Sequence, residues 1–186
     1  MNFVLFGIQG SGKGTQAKII AEKHKLKIFE AGEECRNLAK EDSELGHTIR
    51  NLVENGNLVP ASIIIQIIEN FLKQIPESQG ILFDGFPRNV EQEKEFNELM
   101  KRYHRDFRAI HIQLPQEETV KRLLARGRHD DKPEIITKRI RIFFQDTTPI
   151  IEHYRSENRI IDINGYQTIE NVSKEILSKI DQYLLK

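Results

Sequence analysis

The feature that most constrains this chain lies near its start, where four glycines stand within nine residues: Gly7-Ile8-Gln9-Gly10-Ser11-Gly12-Lys13-Gly14-Thr15. The stretch follows the apolar run Phe3-Val4-Leu5-Phe6 and opens a segment of helical period. Glycines admit φ > 0 conformations and let the backbone approach an anion with no Cβ in the way. Successive N–H groups then form a concave nest at a helix N-terminus, where the dipole adds positive potential. A lysine at position 13 reaches the β- and γ-phosphates held in such a nest, and a threonine hydroxyl ligates Mg²⁺. In the strict pattern Ser or Thr directly follows the lysine; here Gly14 intervenes and Thr15 comes next. The preceding strand, the following helix and the lysine separate this loop from a glycine-rich turn without a ligand. They leave open the fate of the phosphate, because motors, GTPases, kinases and sensors share the loop.

The remaining pattern predicts the scaffold. Short apolar runs at Phe3–Phe6, Lys27–Phe29, Ile81–Phe83, Ala109–Leu114 and Ile160–Ile163 read as strands. Several are apolar on successive residues, as in a parallel sheet covered on both faces. Helical segments lie between them. In the last, Ile169, Val172, Ile176, Ile180, Tyr183 and Leu184 fall on one face with Thr168 placed to cap it. Pro60 and Pro133 suit helix starts. The alternation predicts an α/β fold with a doubly wound parallel sheet of about five strands and helices on both faces. Two stretches depart from it. Residues 31–59 carry two helical patterns with no strand between them, which reads as a small helical insertion after the second strand. Gly127-Arg-His-Asp-Asp131 is a short polar break between helices. Insertions at strand carboxyl ends are where such sheets hold ligands, so both are lid candidates.

Length and charge bound the class. At 186 residues the chain suits one domain. Lys+Arg and Asp+Glu are 28 each, so net charge is zero, which argues against a nucleic-acid or membrane-surface protein. Its 38% hydrophobic and 8% aromatic content supports a real core. No apolar run approaches the ~18 residues of a membrane helix, and the start lacks the basic n-region of a secretory signal. One cysteine, Cys35, excludes an intramolecular disulfide and a Cys-rich zinc site, and reads as a buried apolar residue. The six histidines lack metal-ligand spacing. A cytoplasmic, monomeric protein without zinc is the expectation.

Within this neutral chain the arginines cluster. Ile81-Leu82-Phe83-Asp84-Gly85-Phe86-Pro87-Arg88 is an apolar strand ending in an acid, which suits Mg²⁺ held through water, followed by a turn that presents Arg88. Arg122 and Arg126 share a helix face. Arg128 and Arg139 flank the polar break and the next helix, and Arg36 lies in the insertion. Guanidinium forks match phosphate oxygens bidentately. Phosphoryl transfer requires charge stabilisation and in-line positioning more than covalent help. A phosphate acceptor is already anionic and needs no general base. With no His-Arg-Asp motif and many arginines, a phosphate acceptor is favoured over an alcohol.

Gly10 to Gln16, Asp84-Gly-Phe-Pro-Arg88, Arg126-Gly, Arg128-His-Asp130-Asp131 and Thr148-Pro149-Ile-Ile together resemble the motifs of the adenylate kinase family of nucleoside monophosphate kinases, in order and over essentially the whole chain. The resemblance implies one P-loop NTPase-like domain over 1–186, with a monophosphate-binding insertion at 30–59 and a minimal lid at about 126–132. It implies phosphoryl transfer from Mg-ATP to AMP giving two ADP, with nucleotides as the only expected partners. Gly10, Ser11, Gly12, Lys13, Gly14 and Thr15 resemble the ATP phosphate site, and Thr15 and Asp84 the Mg²⁺ site, largely through water. Arg126 and the backbone near Gln167 resemble further ATP contacts, and Arg122 the arginine that stacks on ATP's adenine. Arg36, Arg88, Arg128 and Arg139 resemble the acceptor-phosphate and transition-state arginines; Lys13, Arg88, Arg126, Arg128 and Arg139 form the implied catalytic set. Asn57, Leu58, Val59, Gly85, Phe86, Pro87, Arg88 and Gln92 resemble the AMP-binding set, together with Ala31. Asp130 and Asp131 resemble the acidic pair of the lid.

Three departures stand out. Ala31 replaces the usual Thr near the acceptor base, as in relatives that act on UMP and CMP. Gln92 favours AMP, because an amide pairs two ways with adenine N1 and its exocyclic amine, and it is given more weight. Glu33 replaces an Asp, and a single Gly127 separates Arg126 from Arg128 where short-lid relatives have more residues. A UMP/CMP kinase and a non-catalytic nucleotide sensor are the competing readings.

Overall fold

In the computed structural model, residues 1–127 and 132–185 are described. The five expected strands are all present: β1 (Asn2–Phe6), β2 (Lys27–Glu30), β3 (Ile81–Asp84), β4 (Arg108–Gln113) and β5 (Ile160–Asn164). They form one sheet in the order β2-β3-β1-β4-β5, every pairing parallel. From the central β1 the chain builds β2 and β3 on one side and β4 and β5 on the other. The loop after β1 therefore sits where the winding reverses, the place where an open α/β sheet forms a crevice.

Both faces of the sheet are buried, which explains the continuous apolar runs. Phe3 and Leu5 of β1, with Leu82, Ile110 and Ile112, pack against α1 (Lys13–His24) and α9 (Ile169–Leu184) through Ala17, Ile20, Val172, Ile176 and Ile180. Val4 and Phe6 point the other way with Phe83 and Ala109. They meet α4 (Ala61–Leu72), α5 (Val90–Arg102) and α8 (Thr148–Ser156) through Ile64, Ile68, Phe96, Leu99, Ile150 and Tyr154. Phe96 stands at the centre of this layer, with Phe83, Phe86 and Phe107 at ring-centroid distances of 5.1–5.2 Å.

The insertion is helical: α2 (Ala31–Leu38) and α3 (Glu44–Glu54) lead through residues 55–60 into α4. Local capping matches the sequence. Ser43, Asn89 and Thr168 each accept a backbone N–H at the start of α3, α5 and α9, Pro60 sits just before α4, and Pro133 opens α7 (Pro133–Ile142). The polar break separates α6 (Gln116–Arg126) from α7; Arg128, Asp130 and Asp131, and most of the expected lid, lie outside the described residues. Among the described residues no helix is long and apolar enough to cross a membrane.

Candidate active site

The glycine loop leaves the end of β1 and runs into α1 with no side chain capping the helix. Gly10 and Gly12 have φ of +85° and +94°, backbone that a side chain rarely tolerates. Gly7 is required by space as well: a Cβ there would stand 2.6 Å from the Ser11 Oγ and 2.8 Å from the Ile112 carbonyl oxygen. The first N–H groups of α1 thus remain open at a positive helix end, the arrangement that receives an anion. Beneath it the buried Ser11 hydroxyl has no hydrogen-bond partner among the described residues.

Lys13 folds over its own loop. Its Nζ donates to the Gly7 carbonyl at 2.7 Å and to that of Ile8 at 3.2 Å. Burial pushes its pKa down to about 8, opposed by Asp84 and reinforced by Arg88 and Arg126. Asp84, 6% exposed, ends β3 alongside Glu30 of β2, and its Oδ2 lies 3.8 Å from where a Cβ of Gly14 would stand. Asp84 and Thr15 therefore bring hard oxygen donors to the mouth of the loop, the ligand type Mg²⁺ takes while keeping several waters.

A cavity of about 820 Å³ opens from the loop. Its wall includes Gly10, Gly12, Lys13, Gly14 and Thr15 from the loop, and Arg122 and Arg126 from α6. It also includes Ala31, Arg36, Asn57, Leu58 and Val59 from the insertion, Asp84 to Arg88 and Gln92 around β3, and Arg139 from α7. Nearly every residue singled out in the sequence converges here. Ser11 lies under the loop and is not in the wall. Gln167 is also elsewhere, its amide donating to the Asn164 carbonyl and the Glu175 carboxylate in the turn after β5.

Around Arg88 the geometry is tightly specified. The Phe86–Pro87 peptide is cis. Arg88 Nε donates to the Gly85 carbonyl at 2.6 Å, and the Arg88 N–H donates to Gln92 Oε1 at 2.8 Å. Burial, with Arg139 nearby, lowers the guanidinium's pKa from its usual value. Gln92, 2% exposed, also donates from Nε2 to the Val59 carbonyl at 2.8 Å. Each end of its amide thus spends one hydrogen-bonding capacity on backbone and keeps one.

Two residues that the sequence did not single out, Glu30 and Thr147, also line this cavity, and a third, Lys138, ties the insertion to α7 outside its wall. Glu30 accepts from Arg36 Nη2 at 3.2 Å. Thr147 lines the wall and its hydroxyl donates to the Arg88 carbonyl at 2.8 Å. Lys138 of α7 crosses to the insertion, donating to the Asn55 carbonyl at 2.8 Å and to Asn57 Oδ1 at 2.5 Å. Cys35 is buried in the same wall, and that burial raises its thiol pKa.

A parallel sheet with an open anion nest after its central strand, faced by arginines from several other elements, defines a P-loop phosphotransferase of nucleotides. Residues 5–159 match the adenylate kinase family model. The adenylate kinase of Bacteroides fragilis is 33% identical over 186 residues, covering 97% of this chain and 98% of its own. That of Bacteroides thetaiotaomicron is 32% identical over 187 residues, covering 98% and 99%. That of Trichodesmium erythraeum is 34% identical over 191 residues, covering 98% of each chain. The chain belongs to the adenylate kinase family, as its motifs implied.

Proposed function

We propose that this chain transfers the terminal phosphoryl group of Mg-ATP directly to AMP, reversibly, giving two ADP. The observation that carries the reading is one continuous cavity whose wall holds both the anion nest and the acceptor-side arginines. ATP's phosphates would rest on the N–H groups of residues 10–15, with Lys13 leaving its loop carbonyls for the β- and γ-phosphates and Arg122 lying against the adenine. The acceptor phosphate would be gripped by Arg36 and Arg88. Arg126 and Arg139, with Arg128 at the lid, would neutralise the group in transit. Its charge is spread over three equatorial oxygens, so fixed cations provide most of the acceleration. The acceptor oxygen is already anionic, so no proton need be removed from it. Mg²⁺, when held through water by Thr15 and Asp84, supplies further neutralisation of the triphosphate.

The remaining donor and acceptor of the Gln92 amide support adenine as the acceptor base, because N1 accepts and the exocyclic amine donates. The Lys138 contacts to residues 55 and 57 support closure of the acceptor end against water, which would otherwise drain ATP by hydrolysis. Action as a monomer on the nucleotide pool of the cytoplasm is part of the same proposal.

The test is a panel of AMP, CMP, UMP and GMP, each assayed for diphosphate formation from Mg-ATP. Preference for AMP is the expected result. Preference for CMP or UMP would transfer the reading to the pyrimidine kinases that Ala31 suggests, and tight ATP binding with no turnover would make the chain a nucleotide sensor.

A further inference from the structure

Helix α7 does not pass smoothly into α8. Between them Phe143–Thr147 forms a π-helical turn, closed by the Thr148 N–H donating to the Phe143 carbonyl five residues back. Such turns insert a residue into a helix and re-aim the side chains that follow. Here the re-aimed side chain is that of Thr147. A threonine in a helix ordinarily returns its hydroxyl to a carbonyl of its own helix four residues earlier. Thr48, Thr119 and Thr137 do so, donating to Glu44, Pro115 and Pro133 at 2.9, 3.3 and 2.9 Å. Thr147 instead sends its hydroxyl out of the helix to the Arg88 carbonyl, 2.8 Å away and 59 positions earlier in the chain. It is 5% exposed and stands in the cavity wall.

Arg88 is thereby pinned on both sides of its Cα. Its N–H is held by Gln92 and its carbonyl by Thr147, each at 2.8 Å, while its Nε is held by Gly85. These contacts leave the Nη groups of the guanidinium for an anion. Thr147 lies on the same continuous helical run as Arg139, since α7 leads directly into the π turn. One hydroxyl therefore ties the strand-end turn that presents Arg88 to the helix that presents Arg139.

We infer that Thr147 is a positioning residue for phosphoryl transfer: acting through the Arg88 backbone, it fixes the acceptor-phosphate arginine relative to Arg139. The inference rests on the reading of Arg88 as an acceptor-phosphate ligand. It goes further by assigning a device outside the phosphate-contacting set, one built from a helical irregularity.

The test compares Thr147→Val, which keeps the shape and removes the donor, with Thr147→Ser, which keeps the donor. For each protein, steady-state kcat and KM for AMP, the Kd for ATP and the thermal unfolding midpoint are measured. In Thr147→Val the KM for AMP should rise about tenfold, the scale of one lost hydrogen bond with its buried carbonyl left unsatisfied. Its ATP Kd should stay within about twofold, and Thr147→Ser should return the KM to within about threefold of the parent. An unchanged KM and kcat for AMP in Thr147→Val would overturn the inference. So would an equal weakening of AMP and ATP accompanied by a lowered midpoint, the mark of a purely structural role. Should Thr147→Val fail to fold, Thr147→Ala is read against Thr147→Ser by the same criteria. The parent protein in the same assay separates the two levels: if it makes no ADP from AMP the underlying reading has failed, and if it does, the outcome bears on Thr147 alone.

Discussion

Arg36 Nη2 donates to Glu30 Oε1 at 3.2 Å inside the cavity wall, so a carboxylate of the protein already occupies the arginine that an acceptor phosphate would use. A phosphate must displace it or share the guanidinium. Both side chains are about one-third exposed, at 35% and 28%, so the pair itself is weak and can be exchanged.

Glu30→Gln should therefore tighten acceptor binding. The amide removes a negative charge that competes with, and repels, the incoming phosphate. The KM for AMP should fall about three- to tenfold, on the order of 1 kcal/mol. Steady-state titration with AMP at saturating ATP checks this. A raised KM would mean that the carboxylate instead orients Arg36 for binding.

The state of Lys13 gives a pH dependence. Only the protonated amine attracts phosphate, and in the free protein burial pushes its pKa down to about 8. Because kcat/KM for ATP reports groups of the free enzyme, it should fall as pH rises through about 8. Lys13→Met should lose both the high plateau and this limb. A profile of kcat/KM that stays flat to about pH 9.5 would contradict it, since an unperturbed lysine titrates near 10.4.

A second titration concerns stability, away from the cavity. His153 Nδ1 lies 2.6 Å from Glu93 Oε1, and Glu93 is 5% exposed. Hydrogen bonding to that carboxylate raises the histidine's pKa, with burial acting against it. A raised folded value means that the stabilisation is fully present below the unfolded value of about 6.5 and is lost as pH rises through the folded one. Half of the imidazole is in water, so the amount should be no more than about 1 kcal/mol. Thermal midpoints of the parent should fall over that window relative to His153→Gln, which carries no titrating group; parallel curves would exclude the linkage.

How much of this was legible beforehand follows from the range of each interaction. Strand positions came within a residue because burial on both faces makes the apolar runs continuous, as in Phe3 to Phe6. The cap at Thr168 and the turn glycines were legible because they act over three or four residues. The loop and the arginines could be assigned to one cavity because charge of one sign gathers there in a neutral chain. Thr147 and Lys138 were not legible. Their partners, Arg88 and Asn57, lie 59 and 81 positions away, and a π turn leaves no periodic signature. The Gln92 amide was singled out in the sequence as a candidate base reader, while its hold on Val59 and Arg88 depends on how the insertion meets α5. At Gln167 the resemblance concerned the backbone; what the sequence did not announce is that its side chain braces the turn into α9.

The central claim is that two nucleotides meet head to head in a single cavity and exchange a phosphoryl group without an intermediate on the protein. Calorimetric titration with a dinucleoside pentaphosphate, two adenosines joined through five phosphates, tests this most directly. The account predicts one molecule bound per chain, tighter than ATP or AMP alone, and loss of subsequent binding of both. Two molecules bound per chain, or undiminished AMP binding in the saturated protein, would contradict it.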